Sequence, residues 1–406
     1  MKSNLKIIII KTFKLIPPRT REKIIIMYLS IVNISNVIKN VRKTKKTLNY
    51  IKKEQPILYK NSKKALWRYC FRQTDSKKHK EYLDTYARQN VKCIQQRIKS
   101  NLPYDEPILI CAVKNDIRRI KMQLDHHREL GIVNFVYIDN MSDDGTYEWL
   151  INQGVDVYRV EDKFSATAKN AWFRQVTDKY GYNRWYIILD SDELFVYPGM
   201  EEGKIHNLIK FAEREKMNFL QSFMIDMYSK EQLNNNKPKE IDITKYDIKK
   251  YNCFFDKDNY YILPSYKGER IHGGSRARLF SDSSHSFAPL LTKNPLYYLK
   301  KEEVFGVHYT IPYYDNFNKP IISGILHYKF LPEDSYKYTQ IVKEGNYANG
   351  SAEYKQYLKI MEEQPNLHFF NNNSQKFNSS FDLLTINIFN KNMSEKLVSY
   401  IKQSSK

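Results

Sequence analysis

Little in this chain offers a covalent or membrane framework. Its four cysteines, Cys70, Cys93, Cys111 and Cys253, are scattered without C-x-x-C spacing, which argues against a zinc site or disulfide scaffold and for a reducing, cytoplasmic setting. No apolar run approaches the roughly 20 residues of a spanning helix. The isoleucine runs at 7–10 and 24–26 are short, and Lys11 and Lys14 follow the first with no small-residue cleavage site, so it does not read as a signal peptide. The chain has no internal repeat and no Gly-rich phosphate loop, which leaves phosphate binding to helix N-termini or a metal. Acidic residues are scarce at one end only. Residues 1–100 hold 26 Lys and Arg against 5 Asp and Glu, a balance of +21 that equals the net charge of the whole chain, while the remainder holds 40 of each.

What is present is enough for a large core: 406 residues, 42% hydrophobic and 14% aromatic. Residues 1–100 read as a basic helical extension, broken at Pro17-Pro18, with a second helix near 20–41. Such a segment suits either an anionic membrane surface or packing on the body with a solvated lysine face. Between 43 and 100, Trp67, Tyr69, Phe71, Tyr82 and Tyr86 supply apolar anchors. No nucleic-acid motif accompanies them, so helix packing is favoured and no nucleic acid is expected as a partner. Residues 101–107, with Pro103 and Pro107, form a linker.

Beyond it the pattern alternates. Apolar runs at 108–113, 135–138, 155–160 and 187–189 are separated by helical periodicity, with Ile120, Leu124, His127 and Leu130 on one face before Gly131. Alternation of this kind predicts an α/β fold with parallel strands, whose ligands gather at the carboxyl ends. Three runs lead into acid, at Asp116, Asp139 and Asp190. The last continues as Asp190-Ser191-Asp192-Glu193, a crowding of carboxylates that calls for a cation. Asp143-Asp144-Gly145, by contrast, is ordinary turn chemistry.

Ala112-Val113-Lys114-Asn115-Asp116, Asp139-Asn140-Met141-Ser142-Asp143-Asp144-Gly145-Thr146, Ala168-Lys169-Asn170-Ala171 and Leu189-Asp190-Ser191-Asp192-Glu193 resemble, in this order, the motifs of bacterial family-2-like glycosyltransferases of the GT-A fold. The likeness extends through Ile271-His272-Gly273-Gly274-Ser275-Arg276-Ala277-Arg278 and Leu326-His327-Tyr328 to about residue 335. It implies a Rossmann-like mixed sheet over 101–335, divided into a nucleotide-binding half (101–200) and an acceptor half (201–335), with helical extensions at 1–100 and 336–406. It further implies transfer, with inversion, of a hexosyl or related group from a nucleotide-diphosphate sugar to a glycan or glycolipid of a capsule or lipopolysaccharide. Together with the Lys-, Asn- and Ile-rich composition, it points to a bacterial enzyme of polysaccharide biosynthesis, peripheral to the inner face of the cell membrane.

By the same resemblance, Asp190 and Asp192 form the D-x-D site for Mn2+ or Mg2+ and His327 completes the metal shell, with His308 as its rival. Lys114, Asp116, Asp139, Lys169, Asn170 and Asp190 border the nucleotide sugar. Arg276 and Arg278, two apart, share one face if extended and then offer a bidentate fork to a diphosphate or an acidic acceptor. Gly273 and Gly274 allow close backbone approach to a ligand. The family's downstream acidic dipeptide is missing at the matching place, since Glu333-Asp334 comes only after His327. The catalytic base is therefore sought among Glu269, Asp226, Asp256 and Asp282, with Glu269 preferred for its place beside the His272–Phe280 segment. A polar, Asn- and Lys-rich stretch at 230–257 reads as an insertion or mobile loop over the acceptor side. Two other classes remain open: a catalytically silent glycan-binding relative and a metal-dependent nucleic-acid-processing protein.

Overall fold

The computed structural model describes residues 34–54, 76–88, 90–99, 101–233, 247–265, 268–281, 289–301, 319–331, 334–345 and 348–404, with isolated positions between them. The isoleucine runs, most of the helix expected at 20–41, Tyr69, Phe71, Asp282, Glu333 and the Asn234-Asn235-Asn236 stretch lie outside the described residues. No helix among those described is long and apolar enough to cross a membrane.

The protein is a mixed α/β structure built on two sheets. The first has six strands: β1 (Lys92–Gln95), β2 (Ile108–Val113), β3 (Asn134–Asp139), β4 (Asp156–Arg159), β5 (Arg184–Asp190) and β12 (Leu296–Leu299), in the order β1-β4-β3-β2-β5-β12. The four central strands are parallel and the two edges antiparallel. The reading of 43–100 as helical is corrected at Lys92–Gln95. Those four residues pair with β4 and are largely exposed, so no alternation of apolar and polar residues announced a strand.

The apolar runs of the central strands follow from burial on both faces. Leu109, Cys111, Ile187 and Leu189 enter one layer with Ile120 and Leu124 of α3 (Ile117–Glu129). Their neighbours Ile108, Ile110, Tyr186 and Ile188 enter the other with Trp172 and Val176 of α5 (Ala166–Tyr180). Truncating one such leucine or isoleucine to alanine costs about 2–5 kcal/mol. The N-terminal helices α1 (Ile34–Glu54) and α2 (Ser76–Arg88) precede this sheet. Tyr82 and Tyr86 of α2 are buried, and the Tyr86 hydroxyl donates to Asp178 of α5 at 2.6 Å. The short α4 (Thr146–Ile151) links β3 to β4.

Strand β5 ends at Asp190, and β6 (Glu193–Val196) starts three residues on in a second sheet. This four-stranded sheet also holds β7 (Ser222–Asp226), β11 (Thr292–Lys293) and β13 (Gly324–His327), in the order β11-β7-β13-β6. Helix α6 (Ile205–Arg214) lies between β6 and β7 in the chain, and α7 (Ile248–Tyr251) leads to β8 (Phe254–Asp256). Part of the stretch expected as a loop at 230–257 is thus ordered secondary structure. A hairpin of β9 (Tyr260–Ser265) and β10 (Gly268–Gly273) runs directly into α8 (Gly274–Phe280). Helices α9 (Ser335–Glu344) and α10 (Ala348–Glu363), strand β14 (Ser374–Lys376, paired with β8), a 3-10 turn at Ser380–Thr385 and α11 (Lys391–Ser404) complete the chain.

Candidate active site

Strand order fixes where the acids meet. The chain runs outward from β2 through β3 to β4, then returns to place β5 on the other side of β2, which makes the carboxyl ends of β2 and β5 a topological switch point. In register, Ala112 lies beside Asp190 and Val113 beside Asp139. Asp116 stands at the N-cap of α3, and its Oδ2 accepts from Ser191 Oγ. The three acids read from sequence therefore border one strand end.

Each is already neutralised by protein charge. Lys169, in the first turns of α5, donates to Asp190 Oδ1 at 2.7 Å, and Lys293 donates to Oδ2 at 2.9 Å. Burial pushes the Asp190 carboxyl up, but these two lysines more than offset it and hold it well below the usual carboxylate range. Asp116 receives Arg119 at 3.0 Å and Lys337, from α9, at 3.1 Å. Arg119 also pairs with Asp334 and donates to the Tyr328 carbonyl at 2.7 Å. Asp139 is fully buried, accepts from the Ser142 amide at 3.2 Å and faces Arg159 at 3.6 Å. Arg159 in turn lies 4.0 Å over the Tyr147 ring. Asp143 and Asp144 are held locally, by Asn115 and by Thr146 and the Ile117 amide.

Across the junction, the second sheet lines up a different set. β13 lies between β6 and β7, with His327 beside Glu193 on one side and Asp226 on the other. His327 Nε2 faces Asp192 Oδ2 at 3.4 Å and Nδ1 faces Asp226 Oδ1 at 2.7 Å. Burial lowers the imidazole pKa, and the two carboxylates outweigh it and raise it. Glu193 pairs with Lys293 and accepts from the Asp190 amide at 2.9 Å. Burial raises its pKa despite that lysine. Asp192, Glu193 and His327 bring one ligand atom each within 4.8 Å of one another. Two carboxylate oxygens and an imidazole nitrogen suit a divalent cation of the Mn2+ type.

This differs from the expected shell in one member. Asp192 and His327 are in it together with Glu193, whereas Asp190 stands beside the group with its oxygens on Lys169 and Lys293. Lys293 was missed altogether. It is the single charged residue between Phe287 and Leu299, and the antiparallel pairing of β11 with β7 carries it to the site. His308 lies apart from this shell: it contacts the Thr292 carbonyl at 2.7 Å, and burial with the neighbouring lysines pulls its pKa down to about 4.

Arg276 and Arg278 are corrected. They occupy a helix, α8, so residues two apart point in different directions. Arg276 donates from Nε to Asp226 at 2.8 Å and Arg278 likewise to Asp256 at 2.8 Å. Arg276 also meets Glu353 at 3.1 Å, and Arg278 donates to the Phe369 carbonyl at 2.7 Å. Gly273 and Gly274 serve the same purpose. Both have positive φ, and a Cβ at Gly273 would stand 1.8 Å from the Asn259 carbonyl oxygen. The close approach is to the protein's own β9, which lets α8 start early enough for Arg276 to reach Asp226.

Of the candidate bases, Asp226 has both oxygens engaged, Asp256 is tied to Arg278 and Tyr228, and Glu269 sits opposite Pro264 in the hairpin, outside the Asp192–Glu193–His327 group. Lys114 is exposed, and Asn170 has a buried Oδ1 with no hydrogen-bond partner. No protein-family model and no curated protein matches the chain.

Sequence reading also missed a histidine pair behind this site. His126 Nε2 donates to the Phe195 carbonyl at 2.8 Å, and the Phe195 amide donates to His127 Nε2 at 3.2 Å. His127 Nδ1 donates to the Gln123 carbonyl, and with Nε2 accepting that ring is neutral. Burial pulls the His126 pKa down to about 4 and that of His127 well below its usual value.

Proposed function

We propose that this protein is a metal-dependent glycosyltransferase of the GT-A type, moving a sugar from a nucleotide-diphosphate donor to a bacterial surface glycan or glycolipid. The observation that carries the reading is the convergence of Asp192, Glu193 and His327 beside the β2/β5 switch point, where Asp116, Asp139 and Asp190 also gather. Asp192 and His327 hold the Mn2+ or Mg2+, with Glu193 beside them. A divalent cation bound there neutralises charge developing on the departing diphosphate.

The chain's own groups divide the remaining work. Lys169, in the first turns of α5, stands beside Asp190 on the diphosphate side of the switch point, and Asn170 follows it on the same helix. Asp139, Arg159 and Tyr147 form the base and ribose side. Lys337 reaches the same crevice from α9. The test is a panel of nucleotide sugars: one donor gives Mn2+-dependent release of nucleoside diphosphate, and Asp192→Ala removes it. Undiminished release in that variant rejects the metal site.

A second reading, a silent glycan-binding relative, draws support from Lys169 and Lys293, which already balance Asp190 and Glu193. It predicts donor binding without turnover for every donor in the panel. Attachment to an anionic membrane is a separate proposal resting on the +21 balance of residues 1–100. Removing residues 1–45, which carry 11 of the 26 basic residues, weakens co-sedimentation with anionic vesicles if it holds, and leaves it unchanged if it does not.

A further inference from the structure

We propose that Asp226 is the positioning carboxylate of His327, fixing which imidazole nitrogen faces Asp192; the inference rests on the reading of His327 as a metal ligand. The two side chains are neighbours by register, on adjacent parallel strands. Asp226 is 2% exposed, with Oδ1 at 2.7 Å from His327 Nδ1 and Oδ2 at 2.8 Å from Arg276 Nε. A carboxylate shared between a guanidinium and a ring nitrogen accepts from both, so the Nδ1 proton points to Asp226 and Nε2 is aimed at Asp192. Histidines that bind metals through one nitrogen commonly donate the other N–H to a carboxylate in this way, which sets ring orientation and basicity.

The support continues behind it. Arg276 is 3% exposed and its Nη1 meets Glu353 of α10 at 3.1 Å. Glu353 is held by Lys329 at 2.9 Å and by the Tyr357 hydroxyl. Lys329 stands two residues beyond His327, so the chain of charges returns to the segment it started from. This buried row locks the Asp226 rotamer. It also removes Asp226 from the role of catalytic base, because a base needs an oxygen open to the acceptor hydroxyl, and neither oxygen is open.

The decisive comparison is Asp226→Asn in the full chain, read by Mn2+ binding in electron paramagnetic resonance and by turnover at rising Mn2+. A positioning role predicts Mn2+ affinity lowered about 10–100-fold, with turnover restored to within about threefold of wild type at saturating Mn2+. Unchanged affinity with a kcat loss of about 10²-fold or more that Mn2+ does not restore overturns the proposal and makes Asp226 the base. The His327 Nδ1–H, assigned by its absence in His327→Gln and its persistence in Asp192→Ala, gives a readout without metal: Asp226→Asn moves this resonance upfield, and an unmoved resonance overturns the proposal. If wild type binds no Mn2+, the metal reading fails, and the ring N–H alone decides whether Asp226 orients His327. Should Asp226→Asn not fold, Glu353→Gln, at the more exposed end of the row, carries the same measurements with smaller shifts in the same direction and the same overturning results.

Discussion

The turn after β3 and the junction of the two sheets handle polar groups in opposite ways. In the turn, acids are secured by nearby chain: Asp139 by the Ser142 amide three residues on, Asp144 by Thr146. At the junction, Glu193, His327, Asp226 and Lys293 are buried in ion pairs with partners 50 or more residues distant in sequence, and Asp190 and Asp116 likewise meet Lys293 and Lys337. Local turns make the first kind of site tolerant, since each acid keeps its backbone partners whatever happens elsewhere. Long-range ion pairs make the second kind interdependent, because removing one partner strands a buried charge.

That contrast is most open to test at Lys293. Lys293→Met leaves Glu193 and Asp190 without their shared cation, and the loss of a buried partner costs about 3–5 kcal/mol; the urea midpoint reads it. A shift under about 1 kcal/mol erases the difference between turn and junction. At the junction itself, Asp192→Ala lowers nucleoside diphosphate release by about 10²–10³-fold and lowers the midpoint by less than Lys293→Met does, since Asp192 is partly exposed although His327, Arg119 and Lys337 hold its carboxyl well below the usual range.

The histidines separate the regions by sign. His126 and His127 have pKa values depressed by burial, so the unfolded chain takes up protons that the folded chain refuses. Their contribution to stability is complete above about pH 6.5 and is lost as pH falls toward 4, by about 1.4 kcal/mol per pH unit for each histidine. His327 has a raised pKa; its contribution is complete below about pH 6.5 and is lost as pH rises through that raised value. Unfolding midpoints across pH therefore show two limbs, and His327→Gln removes only the alkaline one. Smallest of all is Lys114→Ala, an exposed side chain on the tolerant side, which shifts the midpoint by no more than about 0.5 kcal/mol. Its effect on donor KM decides whether Lys114 belongs to the nucleotide site.

The same contrast explains what sequence could and could not reveal. The central strands were legible because burial on both faces demands unbroken apolar runs, and Asp139 and Asp190 stand at their ends. Asp192 and His327 were legible through motif resemblance. Lys293 and Glu353 were not, since their meaning arises only when β11 pairs with β7 and α10 packs against α8. Arg276 was misread because a helix that starts on two positive-φ glycines lacks an ordinary capping signal. Glu193 gained standing for the same reason that Lys293 did: its neighbours come from other strands.

The His126–His127 pair has a further consequence at the rim of the second sheet. β6 is an edge strand of its sheet, and an edge strand leaves a row of backbone groups open to pairing with another chain. Phe195, midway along β6, instead gives its carbonyl to His126 and its amide to His127. Both imidazoles come from α3, so the rim beside Glu193 is stopped by a helix at the residue where a foreign strand would dock.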